Sequence, residues 1–361
     1  MTGPDDSGWA VACHDRRVKI LADSFDVALF DLDGVVYVGS AEVPHAAGAI
    51  AAAAIRGMRP VYVTNNASRP PEEVVEQLVG FGLAPTRDDV VTSAQIAAGL
   101  LAQRFPPGSA ILAVGGRGLR TALVEVGLRP VDKFADAPLA VVQGFGPEVA
   151  WKSLAEASYA VHAGLPWLAT NADLTVPTAQ GIAPGNGALV NAVAAATGRY
   201  PEVSGKPEPI VFTAAAARVG AQRPLVVGDR LDTDIAGAVA AGYPSLLVLT
   251  GVTHLLQVAV AGCGERPTFV APDLRTLVEP LPKATGDLGD GEWIAGSWLA
   301  RTDNSGVIEL SRAATPSDGF EATAAIAALL ACAWDFADRT SLVPDCAGAV
   351  STVEAILATQ R

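Results

Sequence analysis

The chain has 361 residues, half of them hydrophobic and 17% charged, enough to bury a large core in two or three domains and too apolar to stay disordered. Its 25 Lys+Arg against 38 Asp+Glu give a formal net charge of −13, a surface that repels phosphate backbones and anionic lipid, so neither nucleic acid nor membrane is an expected partner. Four cysteines (Cys13, Cys263, Cys332, Cys346) share no C-x-x-C spacing, which suits reduced thiols in a cytoplasmic protein and argues against a disulfide framework or a zinc site.

From Asp26 to about Val278, short apolar runs alternate with helical patterns, the signature of parallel sheets covered by crossover helices. Val27–Phe30 is the first strand and runs into Asp31-Leu32-Asp33-Gly34. A helix over Pro44 to Arg56 stops at Gly57. Pro60–Val63 is the second strand, ending in Thr64-Asn65-Asn66, and a helix follows from Pro70 to Gly80. The middle is expected to make its own strands at Asp89–Val91, Ala110–Val114, Leu139–Val142 and Trp167–Thr170. After Gly198 come a turn at Lys206, a helix through Arg218 and the strand Leu225–Val227. A helix to Ala241 and strands at Ser245–Leu249 and Thr268–Val270 complete this part.

Residues 281–291 read as a linker, rich in Pro and Gly. Beyond it, 292–361 is expected to form a small α+β module. Trp293–Leu299 and Val307–Leu310 flank Asp303-Asn304-Ser305-Gly306 as a hairpin, and helices follow over Phe320 to Arg339 and Thr352 to Gln360. The module weakly resembles part of an acetyltransferase-type fold. It lacks a pyrophosphate-cradling glycine loop, and its long helix is too apolar to stand alone, so it should dock on the body or on a second subunit. The longest apolar run, Ala322 to Trp334, falls short of the roughly 20 residues that cross a bilayer. The stretch after Arg16-Arg17 is broken by Asp23, Asp26, Asp31 and Asp33, so it is no export signal.

Chemistry-bearing residues gather where strands end, the place at which open α/β sheets bind ligands. Asp31 and Asp33, two residues apart, can address one reacting centre, one attacking or holding metal while the other moves a proton. Thr64 offers a hydroxyl to an anionic oxygen. Lys206, one of five lysines in the chain, lies between Gly205 and Pro207 as a candidate phosphate clamp. Gly228-Asp229-Arg230-Leu231-Asp232-Thr233-Asp234 brings three further carboxylates to a helix start, with Asp232 or Thr233 expected as the cap. Carboxylates without His or Cys suit Mg²⁺ rather than zinc.

These four elements, in this order, resemble the haloacid dehalogenase superfamily of phosphatases. The long interval between Thr64 and Lys206 matches the phosphoglycolate, glycerol-3-phosphate and 4-nitrophenyl phosphatase branch, as do the stretches 114–119, 169–173 and 184–187. Gly146 departs from the branch, which usually carries Asp there. The resemblance implies an α/β fold: a Rossmann-like parallel-sheet core over 20–83 and 198–280 with an inserted α/β cap over 84–197. It implies Asp31 as nucleophile and Asp33 as general acid and base. Mg²⁺ would be held by Asp31, the Asp33 carbonyl and Asp229, supported by Asp234, with Thr64, Asn65 and Lys206 on the substrate phosphate. Asn171 and Asp173 would be cap residues for specificity. The implied reaction is hydrolysis of a small phosphorylated metabolite through an aspartyl-phosphate, glycerol 3-phosphate first and phosphoglycolate second. Caps of this type often pair, so a homodimer through the cap is a further expectation. A non-catalytic phosphate-binding regulatory protein and a phosphotransferase using the same aspartate are the competing readings.

Overall fold

The computed structural model describes residues 20–178, 180–286, 291–313 and 320–359. Six parallel strands form the central sheet, in the order Phe269–Ala271, Ser245–Val248, Pro224–Gly228, Val27–Phe30, Arg59–Thr64 and Val90–Thr92. Side chains alternate across it: Ala28 and Phe30 join Tyr62 and Val227 on one face, while Val27 and Leu29 join Val61 and Val226 on the other. Both faces are covered by helices, which is why these strands are apolar throughout rather than alternating.

A second parallel sheet of five strands follows the same logic, in the order Glu202–Val203, Trp167–Ala169, Ala140–Gln143, Ala110–Val114 and Arg129–Val131. Ile111 and Ala113 point into one apolar cluster, Leu112 and Val114 into the other. The expected parallel-sheet core with an inserted α/β cap is therefore the architecture observed, but the joints differ. Val90–Thr92 pairs with Arg59–Thr64 in the central sheet instead of starting the middle set, and Glu202–Val203 pairs with Trp167–Ala169 instead of belonging to the core. Asp89, expected in the strand, closes a turn: its Oδ2 accepts from Thr86 N and Oγ1 at 2.8 and 2.6 Å while Oδ1 holds Arg59. Capping chemistry takes it out of the ladder.

The C-terminal part is an antiparallel four-stranded sheet with the helices Glu321–Thr340 and Ala347–Thr359 against it. Two expectations are corrected here. The segment read as a linker contributes a strand, Thr285–Gly286, paired with Glu292–Ala295. The run Trp293–Leu299 is two strands, because Gly296 at φ 53° turns the chain between Glu292–Ala295 and Trp298–Thr302. The hairpin around Asp303–Gly306 forms as expected, with Thr302 paired to Ile308. The last helix starts at Ala347 rather than Thr352, and Gln360 lies outside the described residues.

The module docks on the body, not as a free appendage. Leu247, Leu255, Val258 and Val270 of the central domain share one apolar cluster with Trp298, Ile326, Leu329 and Val353. Trp334 Nε1 donates to Val258 O at 3.0 Å, and Arg266 lies over the Trp334 ring while pairing with Asp338. Among the described residues no helix is long and apolar enough to cross a membrane.

Candidate active site

Val27–Phe30 lies between Pro224–Gly228 and Arg59–Thr64, so the residues at their carboxyl ends, Asp31, Asp229 and Thr64, converge. Asp31, Asp33, Thr64, Asn65, Asn171, Asp173, Lys206 and Asp229 all line one cavity of about 430 Å³. Asp234 lies beneath it, almost fully buried.

The tightest feature is an acidic cluster. Carboxylate oxygens of Asp31, Asp229 and Asp234 lie within 4.8 Å of one another. Lys206 Nζ bridges two of them, at 2.5 Å from Asp31 Oδ1 and 2.7 Å from Asp234 Oδ1. Burial would lower the Lys206 pKa, but Asp234 and Asp31 outweigh it and hold the ammonium above its usual range. One ammonium does not neutralise three carboxylates. Burial first, and then repulsion from Asp234, pushes Asp229 up to about 7, and burial raises Asp31 well above the usual carboxylate range.

Asp229 Oδ2 accepts from Val252 N at 2.6 Å, whereas its buried Oδ1 has no hydrogen-bond partner among the described residues. A cluster of three carboxylates that includes one with an unpaired oxygen is a donor set that fits a hard divalent cation such as Mg²⁺. Sequence reasoning gave Asp234 a supporting place, whereas the structure puts its carboxylate in the cluster itself. It gets there because Leu231–Ile235 is a wide turn, with Ile235 N reaching back to Arg230 O at 3.1 Å. That turn also corrects the capping expectation: neither Asp232 nor Thr233 caps it, and Asp232 instead takes the Arg230 guanidinium.

Glycine makes the approach possible at two points. Gly34 has φ 85° and donates to Tyr37 O at 2.8 Å, a tight turn directly after the acidic pair. A Cβ there would lie 2.5 Å from Asp229 Oδ2. At Gly251 the same atom would be only 1.9 Å away.

Asp33 opens to the cavity, yet enough protein surrounds its carboxyl for desolvation to raise it, against the opposing pull of Arg69 and Lys206. A carboxyl that keeps its proton longer than usual can donate one. Thr64 is buried, and its Oγ1 accepts from Asn66 N at 3.1 Å, which leaves the hydroxyl hydrogen for an anion.

The side chain of Asn65 is otherwise engaged than on a phosphate. Its Oδ1 accepts from Lys206 N at 2.9 Å, and its Nδ2 donates to Lys206 O at 3.3 Å and to Asp173 Oδ2 at 3.2 Å. Asn171 is likewise a brace: buried, its Nδ2 donates to Asn65 O at 2.8 Å and its Oδ1 receives Asp173 N at 3.2 Å. Of the two expected specificity residues, Asn171 is committed to backbone groups, while Asp173 is held at Oδ2 by Asn65 and keeps Oδ1 outside that contact. Sequence reasoning passed over Arg230, Thr250 and Val252, which line the same space. Arg230 was within reach, since it lies inside the segment that drew attention for its carboxylates. The other two were not, because nothing local marks a loop that becomes a wall only when the sheet assembles.

The chain as a whole is similar to known proteins. A haloacid dehalogenase-like hydrolase model matches residues 28–129, and a HAD-hydrolase-like model matches 203–277. D-glycerol 3-phosphate phosphatase of Mycobacterium tuberculosis is 46% identical over 282 residues, 76% of this chain and 79% of that protein. An acid sugar phosphatase of Staphylococcus aureus is 36% identical over 257 residues, 71% of this chain and 97% of its own. Among solved structures, a glycerol phosphate phosphatase from M. tuberculosis in complex with magnesium superimposes with a TM-score of 0.79 at 40% identity, covering 88% of this chain and 93% of that one. That overlap is more than residues 20–280 can supply, so it extends into the C-terminal module. A p-nitrophenyl phosphatase from Archaeoglobus fulgidus, with a TM-score of 0.65 at 28% identity, covers 70% of this chain and 98% of its own.

Proposed function

The chain belongs to the haloacid dehalogenase-like hydrolases, and from that premise we propose that it is a Mg²⁺-dependent phosphomonoesterase for a small polyol or hydroxy-acid phosphate, glycerol 3-phosphate first and phosphoglycolate second. The observation that carries the reading is the convergence of Asp31, Asp229, Asp234 and Lys206 at strand ends beside the open carboxyl of Asp33. The order of substrates rests on the name of the 46% identical relative.

Asp31 attacks phosphorus, forming an Asp31–phosphorus bond as the ester P–O bond breaks. The electron pair leaves on the ester oxygen, which takes the Asp33 proton as it departs. In the second half, Asp33, now a carboxylate, takes a proton from water. The water oxygen bonds to phosphorus, and the bond to Asp31 breaks, restoring both aspartates. Thr64 and Lys206 hold the phosphoryl oxygens through both halves. Asn65 acts through the Lys206 backbone, fixing where the ammonium stands. Asp31, Asp229 and Asp234, with the Asp33 carbonyl, would hold Mg²⁺, which supplies the positive charge that lets an anionic carboxylate meet an anionic phosphate.

The test is phosphate release from a panel of phosphomonoesters with Mg²⁺ and with EDTA. Release that requires Mg²⁺ and is fastest with glycerol 3-phosphate is the expected result. Undiminished release in EDTA contradicts the metal assignment. Transfer to an added alcohol with no free phosphate would make the chain a phosphotransferase, and binding without turnover would make it a phosphate-binding regulator.

A further inference from the structure

Arg230 has no task in the chemistry above, yet it lines the same cavity as Asp31 and Lys206. The two are the only cations on that wall among the described residues, and they differ. The Lys206 side chain is 3% exposed and engaged by Asp31 and Asp234, whereas that of Arg230 is 34% exposed. Nε and Nη2 of Arg230 hold Asp232 at 3.0 and 2.7 Å, and Nη1 has no partner among the described residues. From the cap side Asp173 lines the same space, its Oδ2 held by Asn65 Nδ2 at 3.2 Å. Each side chain feels the other's charge: burial raises the Asp173 pKa and Arg230 opposes that rise, while Asp173 adds to Asp232 in holding the guanidinium charged.

We propose that Arg230 and Asp173 form a two-sided subsite for the hydroxyl-bearing leaving group of a polyol phosphate, an inference that rests on the phosphatase reading. A hydroxyl both accepts and donates, so one group satisfies the guanidinium from the core and the carboxylate from the cap. A carboxylate on the substrate fares worse. Asp232 already neutralises Arg230, so Arg230, Asp232 and Asp173 together carry one net negative charge. An aryl group meets neither partner and leaves both without water. Val38, Phe145, Val176 and Val252 are among the other residues that line the cavity, and apolar stretches of wall raise the cost of an unmet hydrogen bond. The selection is polyol phosphate over carboxylated or aryl phosphate, and it is made by a core residue and a cap residue together.

The experiment measures kcat/KM for glycerol 3-phosphate, phosphoglycolate and 4-nitrophenyl phosphate on the full chain with Mg²⁺, in wild type, Arg230→Gln, Asp173→Asn and the double variant. Arg230→Gln should lower the ratio of glycerol 3-phosphate to 4-nitrophenyl phosphate about tenfold, the range for losing a hydrogen bond to a charged group. Asp173→Asn should raise phosphoglycolate relative to glycerol 3-phosphate. The two effects on glycerol 3-phosphate should fall short of additivity, because each removes half of one hydroxyl's contacts. Arg230→Lys should recover part of the ratio. Equal losses on all three substrates, or strict additivity, overturn the subsite.

Turnover of 4-nitrophenyl phosphate by the wild type reads the phosphatase assignment separately. A third readout needs no turnover: glycerol 3-phosphate should raise the thermal midpoint of Asp31→Asn more than that of Asp31→Asn/Arg230→Gln. An equal rise in both also overturns the subsite.

Discussion

The protein builds two parallel α/β sheets by the same rules and puts opposite things at their strand ends. In the central sheet the carboxyl ends carry Asp31, Thr64 and Asp229, buried charge and hydroxyl held by few partners. In the five-stranded sheet they carry Gly115, Gly144 and Thr170. There a Cβ at Gly144 would lie 3.1 Å from Ala67 Cβ, one at Gly116 2.8 Å from Ser68 O, and one at Gly118 2.4 Å from Arg69 O. One sheet fixes charge in a desolvated place, where it acts strongly on a bound anion. The other removes side chains so that its backbone closes on the Ala67–Arg69 segment of the first. Similar secondary structure thus supports chemistry in one case and a close-fitting joint in the other.

Substitutions on the two sides should fail differently. Asp31→Asn keeps the shape and removes the proposed nucleophile, so kcat should fall at least about a thousandfold on every phosphomonoester. Retention of more than a tenth of wild-type kcat would remove Asp31 from that role. Asp33→Asn should cost about a hundredfold on glycerol 3-phosphate, within the usual range for a general acid, and much less on 4-nitrophenyl phosphate, whose leaving group needs no proton. Equal losses on both would show that Asp33 does not protonate the leaving oxygen.

The acidic cluster also sets a pH dependence of stability. Asp229 titrates near 7 in the folded, metal-free chain and near 4 in an unfolded one, so the folded state binds the extra proton. The resulting stabilisation is complete below about pH 4 and is lost as pH rises through about 7. Mg²⁺ should therefore raise the thermal midpoint more at pH 8 than at pH 5, read by calorimetry. An equal rise at both would mean that the cation binds elsewhere. On the joint, Gly118→Ala should cost about 1–3 kcal/mol through overpacking against backbone. Its effect on activity should appear as a few-fold rise in KM with little change in kcat.

Much of this was legible in the sequence, for a physical reason. Strands covered on both faces must be apolar throughout, so Val27–Phe30 and Pro224–Gly228 stand out, and the acidic residues that interrupt them mark the site. What was hidden depends on distant partners. Thr285–Gly286 becomes a strand only because Glu292–Ala295 pairs with it, and nothing in its composition says so. Val90–Thr92 was visible as a strand, but which sheet it would join is decided by Tyr62 and Thr64. Asn65 and Asn171 read as polar groups for a ligand, whereas the fold uses them to tie Lys206 and Asp173 into register.

The account turns on Asp31 as the group that takes the phosphoryl. The most direct measurement is a rapid acid quench during turnover of 4-nitrophenyl phosphate with Mg²⁺, followed by peptide mass spectrometry. The account predicts a phosphoryl group on the peptide carrying Asp31, absent from Asp31→Asn and from unreacted protein. A chain that turns over at full rate with Asp31 unmodified at every quench time, or with the phosphoryl on another residue, would contradict it.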